Sequence, residues 1–229
     1  MKSRKHFWTG AGFLLAFVLW TVLIRCVDVR TVGPKDATVG FASLNVRFHQ
    51  LTGVNMTLYT VTDWLGLVPI LICCVFGILG LCQWIRRKQL FRVDADILIL
   101  GVYYLLVIAA YLFFEMVPIN YRPVLIDGCL EASYPSSTTL LVLSVMPTLK
   151  LQADRRCGRP GLRRLAAGFT VLFSLFMVIG RLISGVHWLT DIIGSVLLSA
   201  GLFELYGAAV IRADRKNEAA PGGNRYGVS

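Results

Sequence analysis

Charge is scarce in this sequence. Only 16% of its 229 residues are charged, against about a quarter in an ordinary soluble domain, while 56% are hydrophobic and the mean hydropathy is +0.67. No polar stretch is long enough for a separate soluble domain, so a single unit is expected. Acidic residues are scarcer still, 13 against 23 Lys and Arg, giving a formal net charge of +10. The basic residues come in short clusters between apolar runs rather than as one contiguous patch, which sets nucleic acid aside as a partner. Paired Cys-x-x-Cys spacing is missing too: Cys73, Cys74 and Cys82 share one apolar run and Cys157 sits among arginines, so no metal or cofactor is expected. Cys26 and Cys129 fall on one predicted side and are the pair left open for a disulfide. No small-residue cleavage site precedes Arg25, so the basic start and the apolar run after it read as a retained first span rather than a removed signal.

Six apolar runs are long enough to cross about 30 Å of hydrocarbon as helix: Phe7 to Ile24, Trp64 to Trp84, Ile97 to Val117, Ser136 to Leu151, Leu165 to Ile183 and Ile192 to Ile211. The expected fold is an all-α integral membrane bundle of about six transmembrane helices. Lys2, Arg4 and Lys5, the cluster from Arg86 to Arg92, that from Arg155 to Arg164, and Arg212, Arg215 and Lys216 all fall on one side. That bias predicts both termini in the cytoplasm. Residues 1–216 read as one six-span domain and 217–229 as a disordered cytoplasmic tail. In the long loop on the other side, Phe41, Leu44, Phe48 and Leu51 recur at helical spacing before Gly53, predicting an interfacial helix or a cap over the bundle. Small size and the absence of glycosylation-rich loops fit a bacterial plasma membrane, although Asn55-Met56-Thr57 forms a lone acceptor sequon on the predicted outer side.

Three polar clusters meet on the predicted outer side: Tyr121-Arg122-Pro123, Pro135-Ser136-Ser137-Thr138, and Arg181 through His187 to Asp191. The third combines a permanent cation, an imidazole and a carboxylate. Arginine can hold phosphate oxygens bidentately, a neutral imidazole can attack phosphorus, and a carboxylate four residues on can orient the ring. An isolated His-Trp pair at an interface would explain His187 and Trp188 equally well. In the second cluster Pro135 opens a helix whose first turn carries hydroxyls, an anion site or simple capping.

With these residues the chain resembles the type 2 phosphatidic acid phosphatase superfamily, six-helix membrane enzymes that remove phosphate from lipids without a metal. That family's pattern is lysine, six residues, Arg-Pro; then Pro-Ser-Gly-His; then Ser-Arg, five residues, His, three residues, Asp. Arg181, His187 and Asp191 match the third part, with Gly180 for serine. Arg122 and Pro123 match the first, but Glu115 stands for lysine; Pro135 and Ser136 match the second, with Ser137 for glycine and Thr138 for histidine. The resemblance implies His187 as a nucleophile forming a phosphohistidine, Asp191 as its orienting partner, and Arg122, Arg181, Ser136 and Ser137 as phosphate ligands. The family histidine at Thr138 is understood to protonate the leaving oxygen, and threonine has no pKa suited to that. Either diphosphates, whose leaving group tolerates its charge, are preferred, or Glu115, Glu131 or His49 supplies the proton. The substrate class expected is a lipid phosphate or diphosphate drawn from the surrounding membrane lipids. A degenerate lipid-phosphate binder is the alternative, supported by Glu115 and Thr138; a transporter would carry charge in mid-span, and little is seen there.

Overall fold

In the computed structural model, which describes residues 2–219, the apolar runs form the helices of an all-α membrane bundle. In chain order these are α1 (Lys2–Cys26), α2 (Ala42–Thr52), α3 (Met56–Leu65), α4 (Leu67–Arg87), α5 (Ala95–Met116), α6 (Ser137–Arg156), α7 (Pro160–Ile183) and α8 (Leu189–Ala219). A two-residue hairpin, β1 (Arg30–Thr31) against β2 (Thr38–Val39), lies between α1 and α2. Among the described residues, five stretches are long and apolar enough to cross a membrane: α1, α3 with α4, α5, α7 and α8. The 20-residue α6, expected as the fourth span, falls short of that apolarity. It is the interior helix, packed on α4, α5, α7 and α8. Thr139, Ser144, Thr148 and Gln152 are buried in it beside Val142, Val145 and Met146. Polar groups satisfied by neighbouring helices cost little in such a position, whereas facing lipid they would be expensive. The Thr148 hydroxyl pairs with that of Tyr104 at 2.7 Å, and the Gln152 amide donates to the Tyr206 hydroxyl at 3.1 Å.

Several helices run a turn or more past the expected spans, and two of these boundaries matter most. The second run was expected to begin at Trp64, but helix begins at Met56, because Asn55 caps it by accepting the Leu58 N–H at 2.9 Å. The last helix continues through Asn217 to Ala219, residues expected in the tail; residues 220–229 lie outside the described residues. The expected helix before Gly53 is present as α2, ended by Gly53 at φ 65. Its Leu44 and Leu51 are exposed while Ala42 and Asn45 turn inward. The exposed face of the helix mixes these leucines with Ser43, Arg47 and Gln50, and its contact to the bundle is polar through Asn45. All six cysteines are free, Cys26 and Cys129 included, and both of those are exposed.

α1 and α8 form the closest helix pair. A Cβ on Gly10 would meet the Gly201 carbonyl oxygen at 3.0 Å, and one on Gly201 the Leu14 nitrogen at 3.1 Å. At one end of the bundle charges interlock: Arg156 reaches Asp94 and Asp96, Arg155 reaches Asp96 and Asp214, and Arg87 reaches Asp94. Burial opposes the ionised form of Asp94, but hydrogen bonds from Arg87, Arg156 and Gln83 outweigh it and hold the carboxyl below its ordinary range. At the other end the long connections gather around the turn between α7 and α8.

Candidate active site

That turn carries His187. Gly185 has φ 69 and could not carry a Cβ without meeting the Gly53 carbonyl, so the chain between α2 and α3 lies directly on it. The Asn55 N–H donates to the Ser184 carbonyl at 3.0 Å, and His49 donates through Nε2 to the Gly185 carbonyl at 3.1 Å. The His187 ring is 3% exposed. Its Nδ1 is 3.1 Å from the Ser133 carbonyl oxygen, which can only accept, so the proton sits on Nδ1 and Nε2 keeps its lone pair. Burial, and next the charges of Arg122 and Arg181, push the ring's pKa well below the ordinary histidine value. The ring is therefore neutral at neutral pH, with its free nitrogen turned toward cations.

Those cations are built in from two directions. Arg181, the last-turn arginine of α7, is 1% exposed; its Nη2 lies 3.5 Å from His187 Nε2 and its Nη1 3.5 Å from Asp63 Oδ1. Arg122 comes from the α5–α6 connection, a short hairpin in which the Arg122 N–H donates to the Glu131 carbonyl at 3.0 Å. Trp188 fixes this hairpin to the His187 turn by donating Nε1–H to the Tyr121 carbonyl at 2.7 Å; Trp188 is buried, not an interfacial anchor. The Tyr59 ring of α3 lies 4.9 Å from the Arg181 guanidinium carbon and 5.7 Å from that of Arg122. Its π face offsets part of the repulsion between the two cations. Arg122 Nε is 3.1 Å from Glu131 Oε2, yet without hydrogen-bond direction: Arg122 Nε and Nη1 and Arg181 Nε are buried with no hydrogen-bond partner. Unsatisfied buried guanidinium donors are costly, and a tetrahedral oxyanion between the two arginines would satisfy them.

The remaining candidates divide. Asp191 opens α8 and accepts the Trp188 N–H at 2.9 Å, the return half of a capping box. Its nearer oxygen is 3.7 Å from His187 Nδ1, so the ring is held by the Ser133 carbonyl, with the carboxyl group as a neighbour. The Ser136 hydroxyl is fully buried and donates to Thr139 at 3.1 Å. Ser137 and Glu115 line a small cavity with His187 and Ser133. Glu131 is taken up by Arg122 and His49 by Gly185. Thr138 stands at the end of a groove of about 510 Å³ between α4, α5 and α6, whose walls include Leu67, Ile70, Ile108, Leu112 and Leu141 and whose polar end is Asp63, Ser137 and Thr138. Tyr59, Asp63 and the Ser133 carbonyl were not anticipated from sequence. The Asn55 cap ahead of Leu58 could have signalled α3, but nothing in the chain signals that it reaches Arg181, 118 residues on from Asp63.

Residues 98–212 match the sequence model of the PAP2 superfamily. The chain belongs to that superfamily. The PAP2 match covers Arg122, Arg181, His187 and Asp191 and leaves out α1 to α4. A solved structure described as the first transmembrane PAP2 type phosphatidylglycerolphosphate phosphatase from Bacillus subtilis superposes with a TM-score of 0.59 at 17% identity, over 91% of this chain and 97% of that one. At that identity the likeness is one of fold. No curated protein sequence matches the chain. A PAP2 fold with these spans makes the protein a multi-pass integral membrane protein of a phosphatase superfamily.

Proposed function

We propose that the protein removes phosphate from a lipid phosphate or diphosphate at the outer membrane face, without a metal, through a phosphohistidine on His187. The observation that carries this reading is the neutral, lone-pair-bearing His187 Nε2 held 3.5 Å from a buried guanidinium that lacks a full set of partners. Arg122 and Arg181 hold the phosphoryl oxygens and neutralise charge that grows in the transition state. Nε2 attacks phosphorus, the leaving oxygen departs on the far side, and water then opens the phosphohistidine. The Ser133 carbonyl keeps the proton on Nδ1 before attack and accepts a stronger hydrogen bond once the ring is cationic; the Asp191 carboxylate stabilises the same charge. The apolar groove ending at Asp63 and Thr138 suits the chain of a membrane lipid.

Phosphate release from a panel of lipid phosphates by purified protein, with and without chelator, tests the activity and its metal independence. Labelled phosphate should be trapped on the wild-type protein and not on His187→Ala; full turnover in that variant would sink the mechanism. The bias of Lys and Arg supports an outward-facing site, with both termini and residues 217–229 on the cytoplasmic side of a bacterial plasma membrane. A thiol placed at Asp127 should react with an impermeant reagent from outside, and labelling only from the cytoplasm would reverse the topology. Glu115 and Thr138 favour the second reading, a binder without turnover. Lipid phosphate binding with no trapped phosphate would establish it.

A further inference from the structure

Alkoxide leaves phosphorus poorly unless it is protonated as it departs, and the side chains around the arginines restrict what can supply that proton. His187 is the attacking group. Asp191 lies behind its ring on the Nδ1 side, Glu115 lines a small cavity with Ser133, whose carbonyl holds that same Nδ1, Glu131 is drawn to Arg122, and the His49 ring nitrogen is held by a backbone carbonyl. Asp63 is placed differently. The Arg181 guanidinium offers one terminal nitrogen, Nη2, to His187 Nε2 and the other, Nη1, to Asp63 Oδ1, each at 3.5 Å. The fork thus has the His187 nitrogen at one end and the Asp63 carboxyl at the other, and an in-line displacement on a phosphoryl group held there calls for nucleophile and leaving oxygen on opposite sides of phosphorus. Asp63 also lines the polar end of the apolar groove with Ser137 and Thr138. If the lipid chain occupies the groove, the oxygen joining it to phosphorus lies between Arg181 and that end.

The packing of α3 explains how Asp63 reaches this position. A Cβ on Gly180 would lie 2.7 Å from the Thr62 methyl, so glycine there lets α3 sit against the end of α7. One turn apart on α3, Tyr59 faces both guanidiniums and Asp63 faces Arg181. On its other flank, a Cβ on Gly66 would lie 3.6 Å from the Thr138 methyl.

We propose that Asp63 is the proton-transfer group of this site, a role that rests on the phosphohistidine reading above. In the first step the His187 Nε2 lone pair forms the P–N bond, the P–O bond to the lipid breaks, and the Asp63 carboxyl proton passes to the departing oxygen, releasing the lipid alcohol. In the second step a water oxygen attacks phosphorus, its proton returns to the Asp63 carboxylate, and the P–N bond electrons return to Nε2 as phosphate leaves. Nothing beyond water is consumed. The proton present at the start arrives with the phosphate monoester, whose oxygens face the carboxyl once they take the guanidinium.

The test compares decyl phosphate with a decyl-substituted nitrophenyl phosphate in the same micelles, since nitrophenolate departs without a proton. Asp63→Asn should slow decyl phosphate turnover about a hundredfold to ten-thousandfold. With the nitrophenyl ester it should still give a burst of nitrophenolate near one per protein, followed by slow turnover and accumulated phosphohistidine. The burst also shows that the variant is folded, and Asp63→Glu should recover part of the alkyl activity. Equal losses on both esters would overturn the proposal, leaving Asp63 as a partner of Arg181 alone. So would undiminished decyl phosphate turnover in Asp63→Asn, or a wild-type protein that cleaves diphosphates but not monoesters. A wild-type protein that traps no phosphate from any of these takes down the phosphohistidine reading and this proposal together.

Discussion

The two ends of the bundle treat arginine in opposite ways. At the basic end Arg155 and Arg156 have seven hydrogen bonds to Asp94, Asp96, Asp214 and Gln152, some bidentate. They tie α5, α6 and α8 together, though the arginines are about a third exposed. At the His187 end, Arg181 is almost wholly buried and has only contacts of 3.5 Å to Asp63 and His187, with Nε unpartnered. Fully bonded arginines at one end join helices; at the other, guanidinium donors are left without partners, at a cost in stability the rest of the fold must offset.

The comparison breaks most sharply at His187. His187→Ala should lower phosphate release at least about a thousandfold, as loss of a nucleophile does, while the melting temperature in detergent moves little. Arg181→Lys keeps the charge but loses the planar fork, and should lower kcat/KM by about ten- to a hundredfold. Inorganic phosphate or vanadate should raise the melting temperature of the wild type and not of that variant. Asp96→Asn acts at the other end. It should cost about 1–3 kcal/mol, the loss for a buried pair discounted for the exposure of its arginines, with turnover per folded molecule unchanged. Lost activity at full stability would mean that the two ends are not separable.

Smaller effects sharpen the same contrast. Gly180→Ser brings a side chain against Thr62 and should cost about 1–3 kcal/mol as overpacking. It should also lower turnover by displacing Tyr59 and Asp63, which assays of phosphate release and thermal unfolding can separate. The smallest effect is on pH. Because the folded-state pKa of His187 is depressed, the ring stays neutral as pH falls through about 6.5, where an unfolded chain takes up its proton. Stability is therefore present above that value and declines below it. The acid limb that the nucleophile contributes to kcat/KM should fall below 6.5, and Arg122→Met, which removes one of the two charges, should move it upward.

Much of the architecture could be read from the chain because lipid imposes length and apolarity on whole segments. Even so, α6 was the shortest of the apolar runs and falls short of the apolarity of the others, since an interior helix owes lipid nothing. The spacing of Arg181, His187 and Asp191 sufficed to bring those residues to one turn. What escaped was everything supplied by tertiary approach. Tyr59 and Asp63 have no local signature, and their roles exist only because Gly180 and Gly185 let a distant segment settle on the turn. Asp191 was expected to hold the ring; the helix start took its carboxylate instead, and a backbone carbonyl, invisible to residue patterns, took the ring.

The segment from α2 to α3 roofs the His187 turn, leaving His187 and Arg181 almost without solvent access, whereas the groove beside Asp63 runs between apolar helix faces. A substrate admitted through that side is drawn from a two-dimensional reservoir. The rate should then follow its mole fraction among the surrounding amphiphiles, so that adding inert detergent at fixed bulk concentrations slows the reaction, while diluting protein and micelles together leaves turnover per molecule the same.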